Sequence, residues 1–396
     1  MIVPDRLITT LLELLAIPSP CGFTDEVVHY VGNVLDDIGI DYELTRRGTI
    51  RARLAGRDSS PARAIVTHVD TIGAMVRYIR DDGRLLVAPI GHWSSRFAEG
   101  ARVTLFSERG AYRGCLLPTL DWGVSRDQGV ERVPLDWEHV ELRLEEAVFN
   151  AADVRRLGVE IGDFIALDSR PDVLDNGYIV ARNLDNKAGT AAVLELLRHV
   201  VEDGIEVTHD TYVLFTVTET TGGGMGSAIL PEVSELLTVD FESVKPTEKS
   251  PFKRVTLASG DASGPYDYHL TEHLHRLAVA GDIPLQQKYL QAFHSDAAAA
   301  LVAGHDVRTA VIAYAGDASH SVERTHIESL TNVARMLEAY ATSAPTFARD
   351  AELTTVDRFS HQIDTRRLPR RRTGPSDPAS VLEQRAARGP ERDREA

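Results

Sequence analysis

Apolar residues recur at helical spacing over residues 6–17. Thr24 followed by Asp25 and Glu26 opens a second helical stretch reaching about residue 37, with a capping hydroxyl and an acidic first turn. Runs at 42–46, 49–54 and 64–69 then read as strands, and the last is a continuous apolar segment ending in THVD. A buried strand that delivers polar side chains at its C-terminal end is the usual site geometry of an open α/β sheet. From residue 72 to 169 the period changes. MVRYI, RLLVA, ARVTLF, YRGCLL and HVELRL are short strand-like runs separated by polar turns and one long polar loop, which predicts an inserted, partly closed β-barrel. Helix and strand then alternate again: helices over 187–202, 267–280, 296–303 and 326–342, a short helix beginning at 225–230, and strands over 211–216, 236–239 and 308–314. The pattern predicts an α/β fold whose mixed, mainly parallel sheet is flanked by helices. The expected organisation is a catalytic domain in two parts, 1–71 and 170–346, around an inserted barrel-like domain at 72–169, with a mostly disordered tail at 347–396.

Composition narrows the class. Hydrophobic residues make up 43% of the 396 and charged residues 26%, as in an ordinary globular protein. No stretch approaches 18 apolar residues without a charge, so no membrane span is expected. The N-terminus reads as an amphipathic helix, not a signal peptide. Cys21 and Cys115 cannot make a disulfide framework and suit a reducing, cytoplasmic setting. The net charge is −16, and residues 365–396 hold nine arginines against five acidic residues, so the remainder carries −20. An acidic body argues against nucleic acid as a partner and favours cations, amines or metals.

Candidate chemistry collects where strands end. His68 and Asp70 close THVD, Asp185 precedes a helix in ARNLDNKAG, Glu219 ends VLFTVTE, Asp240 ends LLTVD, and His320 lies in YAGDASHSVE after the last strand. Strand ends of a parallel sheet converge on one edge, so these groups can meet in space. Two histidines and two aspartates suit Zn, Co or Mn, and a further carboxylate is available to move protons. Singly, each has a plainer reading: a strand histidine bonded within the core, or an aspartate that caps a helix or makes a turn.

The motifs THVDTIGAMV, GVEIGDF, ARNLDNKAG, FTVTETTG, TVD and the stretch 314–323, in that order, resemble the tetrahedral-shell and glutamyl aminopeptidases, metallopeptidase family M42. The resemblance runs from about residue 7 to 337. Thr71 in HVDTIG, with SGPYDYHL, HSDAAAALVAGHDVR and DASHSVERTH, is similar to the subgroup linked to the N-acetylglutaminylglutamine amide osmoprotectant system. The resemblance implies a co-catalytic zinc exopeptidase-like fold with one or two divalent metals per chain. Asp185 would bridge them, His68 and Asp240 would complete the first site, and His320 would help hold the second. Asp70 would hydrogen-bond the His68 imidazole and fix its tautomer. Glu219 would be the general base for metal-activated water attacking an amide. The inserted domain would mediate dimers, and dimers would build a tetrahedral dodecamer.

The chain departs from that pattern at Thr220, which stands where the family carries a metal-ligand Glu; a weakened second site is the expectation. Ser295 and Asp296 stand where the family has a substrate-side motif, although an N-cap for the following helix explains them equally well. Asp261 and Asp267 suit turn chemistry, and His294 and His326 a place on the surface or in support of the site. Three functions remain in view: an aminopeptidase acting on short peptides, a deacylase or amidohydrolase acting on an N-acetylated glutamine dipeptide, and a catalytically weak binding or scaffold protein.

Overall fold

The computed structural model describes residues 1–120, 132–244, 252–291, 293–352, 355–360 and 362. At its centre four strands lie parallel and adjacent, in the order His209–Thr216, Asp58–His68, Val233–Ser243 and Arg308–Asp317. They are near-continuous apolar runs because helices cover both faces and neither face meets water. Antiparallel strands extend the sheet on both sides: Ile50–Leu54 and Tyr42–Leu44 on one, Glu323–His326, Tyr178–Ala181 and Asp172–Val173 on the other. A side branch, Val255–Asp261, pairs antiparallel with Arg308–Asp317 and carries Leu285–Leu290 and Gly264–Pro265. The hydrophobic pattern predicted the two strands on the first side, at 49–54 and 42–46, but not those on the other side or in the branch. Leu285–Leu290 is half exposed with two glutamines and a lysine, and Glu323–His326, Tyr178–Ala181, Asp172–Val173 and Gly264–Pro265 are only two to four residues long.

Helix Leu184–Glu202 runs through the core with most of its residues buried, against Pro4–Ala16 and Ile327–Thr342. Its Lys187 is buried, and the ammonium donates to the carbonyls of Leu14 and Ile17 where the first helix ends. These are carbonyls at the end of the helix, where the Leu14 carbonyl also accepts the Ile17 amide at 3.1 Å, so the lysine adds to the C-terminal cap. Thr24 precedes the second helix, Asp25–Ile38, with its carbonyl and not its hydroxyl accepting the Val28 amide.

The predicted insertion is a closed six-stranded barrel among the described residues, ordered Gly73–Ile79, Leu85–Ile90, Val140–Leu144, Gly110–Pro118, Arg102–Ser107 and Phe164–Leu167. Phe164–Leu167 was not anticipated as a strand. It pairs with both Gly73–Ile79 and Arg102–Ser107 and turns the expected partial barrel into a full one. Val76, Val87, Val103, Leu105, Leu116, Leu142 and Ile165 fill the interior. The long polar loop lies partly outside the described residues, at 121–131.

The tail departs from expectation at its start. Phe347 sits under the Arg308 guanidinium, 4.7 Å from its ring centre, and Asp350 pairs with Arg308 at 2.5 Å, so 347–352 is packed on the body. These residues lack apolar periodicity because an ion pair to Arg308 and the contacts of the Phe347 ring with Arg308 and His269 hold them. Residues 355–360 contain a single 3-10 turn, Val356–Arg358, and 363–396 lie outside the described residues. Among the described residues no helix is long and apolar enough to cross a membrane.

Candidate metal centre and active site

Strand register brings the polar residues to one level. Thr216 pairs with His68, and Thr238 pairs with Val66, so His68 and Asp240 come level two residues further on. Asp240 is not at a strand end as expected. Phe241, Glu242 and Ser243 go on pairing with Tyr314, Ala315 and Gly316, and Asp240 projects from within the strand. Glu219 is likewise not a strand residue. The strand stops at Thr216, and Glu219–Thr221 is a 3-10 turn closed by Gly222 in the left-handed region at φ 79°. The short helix expected from 225 is a second 3-10 turn, Gly224–Ser227.

One ligand atom each from His68, Asp185 and Asp240 lies within 4.8 Å of the others. His68 Nε2 is 3.3 Å from Asp185 Oδ1, 3.5 Å from Glu219 Oε2 and 3.9 Å from Asp240 Oδ1. The other Asp185 oxygen, Oδ2, faces His320 Nε2 at 3.4 Å. Asp185 therefore stands between the two histidines with one oxygen toward each. Both imidazoles are tied from behind by carbonyls, which can only accept. His68 Nδ1–H donates to the carbonyl of Asp70 at 2.9 Å, and His320 Nδ1–H donates to the carbonyl of His92 at 2.7 Å. The Nε2 atoms are thereby aimed at the carboxylates.

Asp70 corrects the expectation for its side chain. Its backbone carbonyl holds His68, while carboxylate Oδ1 is 3.6 Å from Nδ1. The carboxylate instead accepts from the amides of Glu219 and Thr220, each at 3.1 Å, and from the Thr220 hydroxyl at 2.6 Å. Thr220 thus points at Asp70. Ser295 is the cap of helix Asp296–Val302, and Tyr266 shares its hydroxyl at 3.0 Å. Asp296 is wholly buried and accepts from the Thr216 hydroxyl at 2.7 Å. Asp267 caps Tyr268–Ala280 and pairs with Arg308; Asp261 accepts from Ser263 and Tyr266. His294 is exposed, whereas buried His326 caps the last helix.

Two partners escaped the reading of the sequence. Buried Glu323 accepts from the Asp185 amide at 3.0 Å and the His320 amide at 2.9 Å, fixing the backbone under both. Its only sequence signal is a carboxylate three residues after His320. The His92 carbonyl comes from the barrel, and no pattern marks a backbone group.

The electrostatics are those of crowded carboxylates. Burial, then the neighbouring acids Asp240, Asp296 and Asp70, pushes the Glu219 carboxyl well above its usual range. Burial and Asp185 do the same to Asp240. Burial, with Asp185 adding to it, pushes Glu323 up to about 8. Burial opposes charge on the imidazoles, yet Glu219 and Asp185 hold His68 well above its ordinary value, and Asp185 carries His320 up to about 9. So much buried negative potential calls for a cation. Two ligands of a tetrahedral ion bound at 2.0–2.1 Å lie about 3.3 Å apart. The His68–Asp185 separation of 3.3 Å matches that, and Asp240 lies slightly further off. The donor set fits a divalent ion held by three protein ligands with room for a fourth.

An α/β body with four parallel central strands, an inserted closed barrel, and a buried His–Asp–Asp cluster at one sheet edge defines a peptidase architecture. The chain belongs to the M42 glutamyl aminopeptidase family, whose model matches residues 48–336. It is 36% identical over 333 residues to aminopeptidase-assigned YhfE of Bacillus subtilis, spanning 84% of this chain and 96% of that one. In fold it is similar to aminopeptidase APDkam598 of Desulfurococcus kamchatkensis, at 20% identity and a TM-score of 0.80, covering 89% of this chain and 99% of that chain. It is also similar to the TET1 peptidase of Pyrococcus horikoshii, which can assemble into a tetrahedron or a large octahedral shell, at 21% identity, a TM-score of 0.74, and coverage of 85% and 100%.

Proposed function

We propose that this chain is a metal-dependent aminopeptidase that hydrolyses the amide bond after an N-terminal residue, with Glu219 as general base. The observation that carries the reading is the convergence of His68, Asp185 and Asp240 with the Glu219 carboxylate 3.5 Å from His68 Nε2. His68, Asp185 and Asp240 would hold the ion, Zn, Co or Mn by donor type. When bound, it lowers the pKa of a water toward about 7 and polarises the scissile carbonyl. Glu219 accepts the proton of the attacking water and passes it to the leaving amine. Burial raises the affinity of its carboxylate for a proton, which suits a group that takes one and later gives it up, and beside the cation it would stay ionised until the attack.

We infer one tightly held ion and a weaker second position. On the far side of Asp185, among the described residues, His320 Nε2 and the Ser319 hydroxyl face Oδ2, with no second carboxylate placed like Asp240, and the Thr220 hydroxyl is engaged by Asp70. Asp296 and Ser295 remain substrate-side candidates by resemblance, but both are buried. A homo-oligomer built through the barrel domain, 72–169, is the assembly the family membership supports. The unpaired thiols Cys21 and Cys115 favour a reducing compartment such as the cytoplasm.

Reconstitution with Zn or Co should leave at least one ion per chain, and finding none would sink the metal reading. Glu219→Gln should abolish turnover and keep the ion; persisting activity would remove Glu219 from the base role. Aminoacyl p-nitroanilides run beside N-acetylated dipeptides separate the proposal from a deacylase of the osmoprotectant type. Only the aminopeptidase requires a free amino terminus.

A further inference from the structure

Both oxygens of the buried Asp70 carboxylate face the same turn. Oδ1 accepts from the Glu219 amide, and Oδ2 accepts from the Thr220 amide and, at 2.6 Å, from the Thr220 hydroxyl. The backbone of the same residue accepts the His68 Nδ1 proton. Asp70 therefore ties the imidazole of one candidate ligand and the backbone of the candidate base into one unit, and the shortest tie is the hydroxyl of Thr220.

We propose that Thr220 is a positioning residue, not a metal ligand: its hydroxyl locks onto Asp70 and thereby sets where the Glu219 carboxylate stands. This rests on the aminopeptidase reading above. A carboxylate at position 220 in this orientation would face the buried Asp70 carboxylate, and two acids that close repel. A hydroxyl donates instead, so the residue type and the clamp belong together. The turn has little freedom to leave the clamp. Gly91 of the barrel, at φ +81°, lies so close that a Cβ there would stand 3.2 Å from the Thr220 carbonyl oxygen and 3.5 Å from its Cβ. On the other side the Thr221 hydroxyl lies 3.2 Å from Cys21 Sγ and 3.3 Å from the Thr218 carbonyl. A turn packed between two elements and bonded at its centre holds a side chain to within the small displacement that catalysis tolerates.

The test compares Thr220→Val and Thr220→Ser in the full-length metal-loaded enzyme, measuring kcat, KM, bound metal and hydrogen exchange at the Glu219 and Thr220 amides. Val keeps the shape and removes the donor, while Ser keeps the donor. Thr220→Val is expected to lower kcat about ten-fold or more, with KM and metal content within about two-fold of wild type. Its two turn amides should exchange faster, and Thr220→Ser should restore both rate and protection. The proposal is overturned if Val loses metal in step with activity, which would make Thr220 a ligand, or if Val keeps full kcat. It is equally overturned if Ser fails as badly as Val, because packing and not the hydroxyl would then matter. A wild-type enzyme inactive on every peptide substrate would refute the aminopeptidase reading instead. Amide exchange then judges the clamp alone, and unchanged exchange in Thr220→Val overturns it.

Discussion

Gly224 lies where the turn carrying the candidate base meets the helix that begins at Asp296. A methyl group added there would stand 1.7 Å from Asp296 Oδ1, 2.9 Å from its Cγ and 3.6 Å from the Glu219 Cα. Asp296 cannot easily retreat, because it is wholly buried, opens a helix and accepts from Thr216. Gly224→Ala must therefore displace the carboxylate or lift the turn. Overpacking of this kind costs about 1–3 kcal/mol. Breaking the buried Thr216–Asp296 bond adds roughly 1–3 kcal/mol. A shifted Glu219 should lower kcat by roughly 10- to 100-fold. Denaturant unfolding at one fixed protein concentration, paired with initial rates on an aminoacyl p-nitroanilide, reads both effects. Asp296→Ala removes the obstructing oxygen. In the double variant the methyl group should cost about 1–3 kcal/mol less than it does alone. Gly222→Ala is the control. It has φ +79° but nothing within 4 Å of a new Cβ, so it should show left-handed strain of about 1–2 kcal/mol and no coupling to Asp296. A Gly224→Ala protein with wild-type stability and kcat, or with costs that simply add to those of Asp296→Ala, would refute the steric argument.

Two further outcomes follow from buried partners. Glu323→Gln leaves one acceptor for the two amides of Asp185 and His320, and metal affinity by titration should fall about 10- to 100-fold; unchanged affinity would mean that other contacts hold those two backbones. Lys187→Met removes the ammonium donor from the Ile17 carbonyl and from the Leu14 carbonyl, which keeps the Ile17 amide, and should cost roughly 1–3 kcal/mol. The cost should also depend on pH. Burial pushes the Lys187 ammonium from 10.5 down to about 7, so between those values the unfolded chain binds a proton that the folded chain does not. Wild-type stability relative to Lys187→Met should then rise from pH 7 toward pH 10, and a gap that stays flat would contradict the shift.

The periodicity of the chain by itself determined the long elements. The apolar runs at 64–69, 211–216 and 308–314 and the helix at 187–202 bury whole faces, and burial of a long element is written in composition and spacing. The change of period at residue 72 likewise marked the barrel. Residue type and position near strand ends also singled out His68, Asp185, Glu219, Asp240 and His320, the groups the structure brings together at one edge. What only the tertiary structure decided is how those groups are held. The closing strand Phe164–Leu167 is four residues long and exists because Gly73–Ile79 and Arg102–Ser107 offer it ladder partners. Asp240 projects from inside its strand because Arg308–Asp317 continues to pair beyond it. The His92 carbonyl and the Glu323 carboxylate orient candidate ligands that lie far off in sequence or across a turn. The Asp70 carboxylate turned from His68 to Glu219 and Thr220 because three donors converge there, and a hydrogen bond depends on where a donor stands in space, which no local spacing encodes.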